Sequence, residues 1–223
     1  MIKAVVFDFD GVIANSEPLH YSAFRDVLQE MGVVFTEQEY YASYLGYDDV
    51  GVFRAVAGAS GLRWPPERIG QLVRRKAVRL EALERERTVL FPGAADAIRR
   101  LAAGFPLAIA SGALRAEILR VLRDADLERF FRTVVAAEDT MVSKPAPDPY
   151  LRAVSLLSSS LGQPLEPGEC AAIEDSRWGL DSARAAGLRT IAVTHTYPAN
   201  SFGAVDLTID SLDALTVANL TAI

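Results

Sequence analysis

Two aspartates follow the first apolar segment of the chain and are well placed to do chemistry. The apolar run from Val5 to Phe7 leads into Asp8, and Asp10 and Gly11 follow. Because open parallel sheets bind ligands at the carboxyl ends of their strands, this pair concentrates negative charge at such an edge. Two close carboxylates repel one another unless they share a cation or a proton. The spacing indicates a metal site with a nucleophile in it; the alternative is a solvated turn in which Asp8 caps a helix.

Three later segments carry groups that complement this pair. Glu174 and Asp175 end another apolar run, and their hard oxygen atoms suit Mg²⁺. Ser111 and Gly112 follow a third run, where a hydroxyl and the N–H groups at a helix start suit an anionic oxygen, although serine there is also a common N-cap. Lys144 precedes a proline, and a lysine in a stiff loop can neutralise a phosphoryl group; alone it is equally typical of a protein surface.

These segments interrupt a regular alternation of strand and helix patterns. The apolar runs predict strands over residues 2–8, 106–110, 133–136, 170–173, 190–194 and 207–209. Helices are predicted over 93–103, 114–124, 148–159 and 176–186, with Asp148 capping the third and Ser211 or Asp213 capping a final one. The serines at 158–160 are predicted to form a loop. Strands alternating with helices predict right-handed crossovers and a parallel sheet.

Residues 18–87 show helical patterns only. A first helix is predicted over 19–31, a second behind a capping box from Thr36 to Glu39, a third capped by Asp48 or Asp49, and a fourth over 67–87. The charged run on the fourth, which includes Lys76, predicts a solvated face with i,i+4 pairs. We expect an α/β core from residues 1–14 and 88–223, and an inserted helical cap domain at 15–87 that acts as a lid.

Composition excludes several classes of function. The chain has 223 residues and a net charge of −6, which disfavours nonspecific nucleic-acid binding. Its one cysteine, Cys170, lies in an apolar run and predicts a buried structural thiol in a reducing compartment. There is no signal-peptide layout and no run near the ~20 apolar residues of a membrane helix. We expect a cytoplasmic protein, a monomer or small homo-oligomer, with no membrane or nucleic-acid partner.

The four segments DFDGV, ASG, SKPAPD and IEDS, in this order, resemble the motifs of the haloacid-dehalogenase-like hydrolase superfamily. The resemblance covers nearly the whole chain and is greatest for the phosphatases and β-phosphoglucomutase-like members that carry a helical cap after the first motif. It implies a Rossmann-like, doubly wound parallel sheet with an inserted α-helical cap. It also implies that Asp8 attacks phosphorus to form an aspartyl-phosphate, with Asp10 acting first as general acid and then as general base.

The resemblance further implies a Mg²⁺ cofactor and a phosphate site. The metal would be bound by the Asp8 carboxylate, the Asp10 main-chain carbonyl and Asp175, with Glu174 ligating directly or through water. The phosphoryl oxygens would be held by Ser111, Gly112 and Lys144. Contacts between the cap and the substrate would come from Asn15, Glu17 and His20, although a hinge or structural role for His20 stays open. His195 and Tyr197 are expected to serve their loop rather than catalysis.

The cap segment distinguishes between the reactions of the family. The β-phosphoglucomutase-like members carry a K-G-x-S-R signature, of which the stretch at 45–49 keeps only the glycine. Acids in place of the arginine would repel a second phosphate, so a Mg²⁺-dependent phosphatase of a small metabolite, such as a sugar phosphate or a phosphoglycolate-like compound, is expected. The alternative is a β-phosphoglucomutase-like sugar phosphomutase. A dehalogenase needs no acid at Asp10, and a phosphonatase needs a cap lysine, of which Lys76 is the only one. A non-catalytic regulator is disfavoured because all four motifs are complete.

Overall fold

The computed structural model describes residues 1–44, 47–86 and 89–223. The chain divides into two compact units: an α/β unit formed by Met1–Asn15 and Leu90–Ile223, and a helical unit formed by Ser16–Val89. The glycine of the cap signature, Gly46, and the predicted end of the fourth helix, Arg87, lie outside the described residues.

The described residues of the helical unit form four α-helices: α1 (Glu17–Gln29), α2 (Glu37–Glu39), α3 (Asp49–Ala59) and α4 (Pro66–Glu86). Helix α2 continues into a π-helical segment, Tyr40–Tyr44. Thr36 and Glu39 form the predicted capping box, because each side chain accepts the other residue's backbone N–H. Asp48 caps α3 by accepting the N–H of Gly51 at 2.6 Å. Burial of aromatic and aliphatic side chains holds the unit together, chiefly Phe24, Phe35, Tyr40, Phe53 and Leu72.

The α/β unit is built on one six-stranded parallel sheet with the order β3-β2-β1-β4-β5-β6. The strands are β1 (Ala4–Phe7), β2 (Leu107–Ala110), β3 (Phe131–Val135), β4 (Cys170–Glu174), β5 (Arg189–Val193) and β6 (Leu207–Ile209). In β1, Val6 pairs with Ala108 on one side and Ala172 on the other. Strands β1, β2 and β4 are buried throughout, which explains their unbroken apolar runs. The predicted Rossmann-like α/β fold is confirmed.

Five helices surround the sheet: α5 (Ala94–Ala102), α6 (Arg115–Asp124), α7 (Asp148–Leu161), α8 (Arg177–Ala185) and α9 (Val217–Ala222). Helices α7 and α8 pack on one sheet face, where Tyr150, Leu157 and Ala183 meet side chains of the central strands. Cys170 is fully buried there, and burial raises the pKa of its thiol to about 11. The predicted buried thiol is confirmed. Across the described part of the chain, the helices are too short or too polar to cross a bilayer.

Four local predictions were wrong. Ser158 and its two neighbours lie within α7, because they extend its last turn by bonding back to carbonyls of that helix. Asp148 is the first residue of α7 and makes no capping hydrogen bond. Its negative charge still interacts favourably with the positive end of the helix dipole. The final helix is capped by Thr216, since the predicted caps lie around a 3₁₀ turn instead. The charged run of α4 is not wholly solvated, because Lys76 and Glu84 are buried.

Candidate active site

Three carboxylates meet at the carboxyl ends of β1 and β4. Asp8 follows β1, Glu174 ends β4 and Asp175 comes next, so strand pairing brings the two motifs together. The N–H of Asp8 donates to the carbonyl of Ile173 at 2.9 Å, which extends that pairing to the site. One oxygen from each of Asp8, Glu174 and Asp175 lies within 4.8 Å of the others, and all three side chains are buried.

Lys144 lies between two of these acids. Its Nζ donates to Oδ1 of Asp8 at 2.5 Å and to Oε1 of Glu174 at 2.6 Å. The side chain is only 14% exposed, so both ion pairs are largely shielded from water. The ring of Tyr150 lies 5.1 Å from the same nitrogen and adds a cation–π contact. The structure thus joins the first, third and fourth sequence motifs in one ion-pair cluster.

Both carboxylate oxygens of Glu174 are hydrogen-bonded. Besides Lys144, Oε1 accepts the hydroxyl of Tyr150 at 2.8 Å, while Oε2 accepts the N–H of Asp175 at 3.2 Å and the hydroxyl of Ser176 at 3.1 Å. Gly179, in the first turn of α8, lies so close that a Cβ atom would overlap the Glu174 carboxylate. Sequence reasoning missed Tyr150 and Gly179. Their residue types carry no motif, and only their positions early in the helices after two strand-end motifs pointed to the site.

The raised pKa values of Asp8 and Asp175 indicate that this cluster carries a surplus of negative charge. Burial, together with the charges of Glu174 and Asp175, raises the pKa of Asp8 well above its usual range, and Lys144 only partly offsets this. Burial and Glu174 likewise raise the pKa of Asp175 to about 7. Burial opposes the charge of Lys144, but Asp8 and Glu174 raise its pKa above the ordinary value, so it is a cation at neutral pH. The cluster as a whole therefore attracts a further proton or cation.

A tight turn positions Asp10 beside these acids. Gly11 has a φ of +79°, a conformation that favours glycine, and a Cβ atom there would also overlap the Asp175 carboxylate. The N–H of Gly11 donates to the carbonyl of Ala14 at 2.8 Å, and Ala14 in turn donates to Phe9 at 2.9 Å. Asp10 itself is half-buried. The glycine after the two aspartates is thus required for the backbone to pass close to the metal-binding candidates.

The Ser111 segment follows β2, the other neighbour of β1. Ser111 is buried, and its N–H donates to the carbonyl of Val135 at 2.9 Å, as in an extension of the sheet. Its hydroxyl accepts the N–H of Ala113 at 3.0 Å, whereas Gly112 between them is exposed. The hydroxyl caps this turn rather than α6, which begins only at Arg115. A small loop with Ser111 at its base therefore separates strand and helix.

Comparison with known proteins agrees with this arrangement. Residues 5–193 match the family model of the haloacid dehalogenase-like hydrolases. The chain belongs to this family. Its members with the greatest similarity include protein CbbY of Rhodobacter capsulatus, which is 33% identical over 96% of this chain and 95% of its own. Hexitol phosphatase B of Escherichia coli is 29% identical, with 98% and 96% covered.

Solved structures of CbbY from Rhodobacter sphaeroides superpose closely on this hydrolase. The complex with phosphate has a TM-score of 0.82 and 29% identity, covering 99% of this chain and all of that one. The complex of a variant with xylulose-(1,5)bisphosphate has a TM-score of 0.81 and 28% identity, covering 99% of each chain. The sequence-based assignment to this superfamily is confirmed.

The helical unit of this hydrolase contains a second polar cluster. Lys76 of α4 is only 2% exposed, and its Nζ lies 2.8 Å from Oδ1 of Asp49 and 3.0 Å from Nδ1 of His20. The nitrogen also lies 4.7 Å from the ring centre of Phe24. A signal for this burial was present in the sequence, because Lys76 lies four residues from both Leu72 and Leu80 on the apolar stripe of α4.

The two other cap candidates, Glu17 and Asn15, differ in their surroundings. The carboxylate of Glu17, in the first turn of α1, accepts the hydroxyl of Tyr40 at 2.5 Å. Asn15 is exposed and is the last residue of the first segment of the α/β unit. Arg79 of α4 pairs with Asp26 of α1 at 2.8 Å, whereas Arg85 pairs with Glu81 four residues earlier in α4, as predicted.

Proposed function

We propose that this hydrolase is a Mg²⁺-dependent phosphatase that cleaves a small phosphorylated metabolite, a sugar phosphate or phosphoglycolate-like compound, through an aspartyl-phosphate on Asp8. The observation that carries the proposal is the position of Lys144, which bridges Asp8 and Glu174 beside Asp175. A carboxylate nucleophile, a cation for the phosphoryl group and oxygen ligands for a metal are thereby adjacent. A phosphatase among the relatives, and phosphate in the CbbY crystal, support this chemistry.

The residues present fit a magnesium ion. Of the three buried carboxylates, only Asp8 and Glu174 pair with the ammonium group of Lys144, and all three offer the hard oxygen atoms that Mg²⁺ prefers. We propose that the Asp8 carboxylate, the Asp10 main-chain carbonyl and Asp175 hold the ion. Glu174 belongs to the set directly or through water, and its existing bonds to Lys144 and Tyr150 favour the indirect role. When bound, Mg²⁺ would offset the repulsion between an anionic nucleophile and an anionic phosphate.

The remaining steps follow from the chain's own groups. An Asp8 oxygen attacks phosphorus while the ester P–O bond breaks, and the Asp10 carboxyl donates a proton to the departing oxygen. Asp10 then takes a proton from water, whose oxygen attacks the same phosphorus and releases phosphate from Asp8. Lys144, with Ser111 and the N–H of Gly112, would stabilise the negative phosphoryl oxygens in both steps.

We also propose that the helical unit acts as the cap domain over the bound substrate, with residues 15–87 forming the cap and residues 1–14 and 88–223 forming the core. Asn15, Glu17 and His20 would then contact the substrate, and the present bonds of Glu17 and His20 also fit a structural role. A cytoplasmic location, a monomer or small homo-oligomer, and the absence of nucleic-acid and membrane partners stay predictions of the sequence.

A sugar phosphomutase is the alternative, and the acids of the cap disfavour it. A mutase must hold a bisphosphorylated intermediate, which requires cationic groups for the second phosphate. Asp48 caps α3, and Asp49 pairs with Lys76, so the positive charge of Lys76 is already neutralised within the helical unit. These contacts support a phosphatase.

The proposal is tested by a ³¹P NMR time course on a panel of mono- and bisphosphorylated metabolites with Mg²⁺. We expect steady release of inorganic phosphate, and a loss of at least about 10³-fold in Asp8→Asn because the nucleophile is removed. Asp181→Asn, which changes an exposed acid of α8, is the matched control. Equal rates in the wild type and Asp8→Asn would refute the mechanism, and interconversion of sugar 1- and 6-phosphates would identify a mutase.

A further inference from the structure

The loop after β5 contacts the candidate site at two points. Thr196 lies close enough to Asp175 for its side chain to lower the pKa of that carboxyl. The neighbouring residue, His195, lies two positions after the end of β5 and is half-buried. Neither residue belongs to the four sequence motifs, and His195 was expected to serve its loop alone. The side chain of His195 also contacts residues outside its loop.

His195 donates a hydrogen bond to the turn that carries Asp10. Its Nδ1 lies 3.0 Å from the main-chain oxygen of Gly11. Because a carbonyl oxygen can only accept, Nδ1 must carry the proton in this contact. The imidazole ring stacks on Phe91, with ring centres 3.9 Å apart and planes inclined by 18°. The stack fixes the ring plane, and the hydrogen bond fixes the peptide group after Gly11.

The two partners of His195 lie in segments that matter for the site. Gly11 directly follows Asp10, and its backbone lies against the Asp175 carboxylate. Phe91 stands next to the residue at which the chain re-enters the α/β unit, and its N–H donates to the carbonyl of Ile13 at 3.0 Å. His195 therefore ties the Asp10 turn to the strand-like segment beside it.

We propose that His195 is a positioning residue for Asp10. By holding the Gly11 carbonyl, its Nδ1–H keeps the Asp10–Gly11 turn in the conformation that presents both the Asp10 carboxyl and the Asp10 main-chain oxygen. The inference rests on the proposed function, since it assumes the acid–base role of Asp10. It assigns no proton transfer to the imidazole itself.

Two variants separate the hydrogen bond from the stack. His195→Asn retains an amide donor near the place of Nδ1 but loses the ring, whereas His195→Phe retains a stacking ring but loses the donor. We expect kcat of His195→Phe to fall roughly threefold to tenfold with KM little changed, as loss of one oriented hydrogen bond would produce. His195→Asn should stay within about twofold of the wild type. Ser201→Ala, at the exposed end of the same loop, is the control.

Imidazole ¹⁵N NMR of the wild type and of Asp8→Asn gives a readout that does not depend on turnover. The proton should lie on Nδ1 in both. A proton on Nε2, wild-type kcat in His195→Phe, equal losses in the two variants, or an effect confined to KM would each overturn the positioning role. If the wild type itself releases no phosphate, the proposed function fails and this role fails with it; a defect confined to His195→Phe, with His195→Asn active, supports both.

Discussion

The side chains of Lys144 in the α/β unit and Lys76 in the helical unit are 14% and 2% exposed, and each ammonium lies near an aromatic ring. The ring centres are 5.1 Å away at Tyr150 and 4.7 Å away at Phe24. Each nitrogen also contacts a carboxylate within 2.8 Å. The same local solution, a lysine held by an acid and a ring, thus occurs once in each unit.

The clusters around Lys144 and Lys76 differ in their net charge. Lys144 contacts two carboxylates with a third beside them, so its cluster keeps a negative surplus. Lys76 contacts one carboxylate and His20, whose Nδ1 must accept because an ammonium group only donates. The charges of that cluster therefore cancel. Surplus negative charge at the strand ends can bind a cation, which in turn can attract an anionic phosphate, whereas a balanced cluster mainly holds helices together.

The largest expected difference concerns activity. Lys144→Met should lower kcat about 10²- to 10³-fold, because under the proposed mechanism it removes the cation that would stabilise the phosphoryl oxygens. Lys76→Met makes the same change in the helical unit and should lower kcat by less than about tenfold, since only positioning is affected. Phosphate release under saturating substrate measures both. Losses of equal size would mean that the two lysines are not functionally distinct.

The ion pair of Lys76 should matter more for the stability of the helical unit than for catalysis. Asp49→Asn leaves Lys76 buried without its counter-charge, and we expect a loss of about 2 kcal/mol in the free energy of unfolding, reduced because Asp49 is partly exposed. Glu81→Gln, which breaks an exposed pair with Arg85 on the same helix, should cost at most about 0.5 kcal/mol.

Urea unfolding can be followed in this unit separately. Of the two tryptophans, Trp64 lies in the helical unit and Trp178 in the α/β unit. Trp64 fluorescence in a Trp178→Phe background therefore reports on the helical unit. If Asp49→Asn were no more destabilising than Glu81→Gln, the ion pair with Lys76 would contribute nothing beyond a surface pair.

Mg²⁺ binding at the cluster of Asp8, Glu174 and Asp175 should depend on pH. Since burial and Glu174 raise the pKa of Asp175 to about 7, Mg²⁺ must displace a proton below that pH. We expect the Mg²⁺ dissociation constant to rise up to about tenfold for each unit that pH falls below about 7. Calorimetric titration at several pH values measures this slope, and Asp175→Asn should reduce it to the share of Asp8, whose pKa burial also raises. A slope unchanged in that variant would assign the proton to another group.

The raised pKa of Asp175 also predicts how the stability of the metal-free protein depends on pH. A carboxyl whose folded-state pKa is raised contributes stability that is complete below its unfolded pKa, near 3.9, and is lost as pH rises through about 7. We therefore expect Mg²⁺ to raise the melting temperature more at pH values above about 7 than below.

The smallest expected effect belongs to the aromatic partner of Lys144. Tyr150→Phe keeps the ring but removes the hydroxyl bond to Glu174, and we expect kcat to fall roughly threefold to tenfold, equivalent to about 1 kcal/mol. Tyr21→Phe, which removes a hydroxyl that contacts the Phe35 carbonyl in the helical unit, should leave kcat within about twofold. An unimpaired Tyr150→Phe enzyme would show that Glu174 needs no such support.

Much of the α/β unit could be predicted, because its strands β1, β2 and β4 are buried throughout and appear as unbroken apolar runs. The ends of those runs then place Asp8, Ser111, Glu174 and Asp175 at one edge of the sheet. The roles assigned to these residues stay proposals, since geometry alone does not test them. What the sequence supported strongly was proximity, through the rule that parallel strands end together.

The contacts that tune the site were not predictable in the same way. The Tyr150–Glu174 bond joins residues 24 apart and depends on how α7 packs on the sheet. The burial of Lys76 was masked by the arginines and glutamates around it, although its spacing from Leu72 was correct for the apolar stripe. Some helix caps were predicted correctly and others were not, because a serine or aspartate near a helix start does not specify which residue begins the helix.

The order of the strands has a consequence for synthesis. The central strand, β1, begins at Ala4, but its two neighbours begin at Leu107 and Cys170. At the ~5–20 residues per second of translation, the second neighbour emerges roughly ten to thirty seconds after β1. The helical unit is complete long before then. Asp8 is thus made well before Asp175, and because the nascent chain has no complete site until both are present, this enzyme acquires its activity late in synthesis.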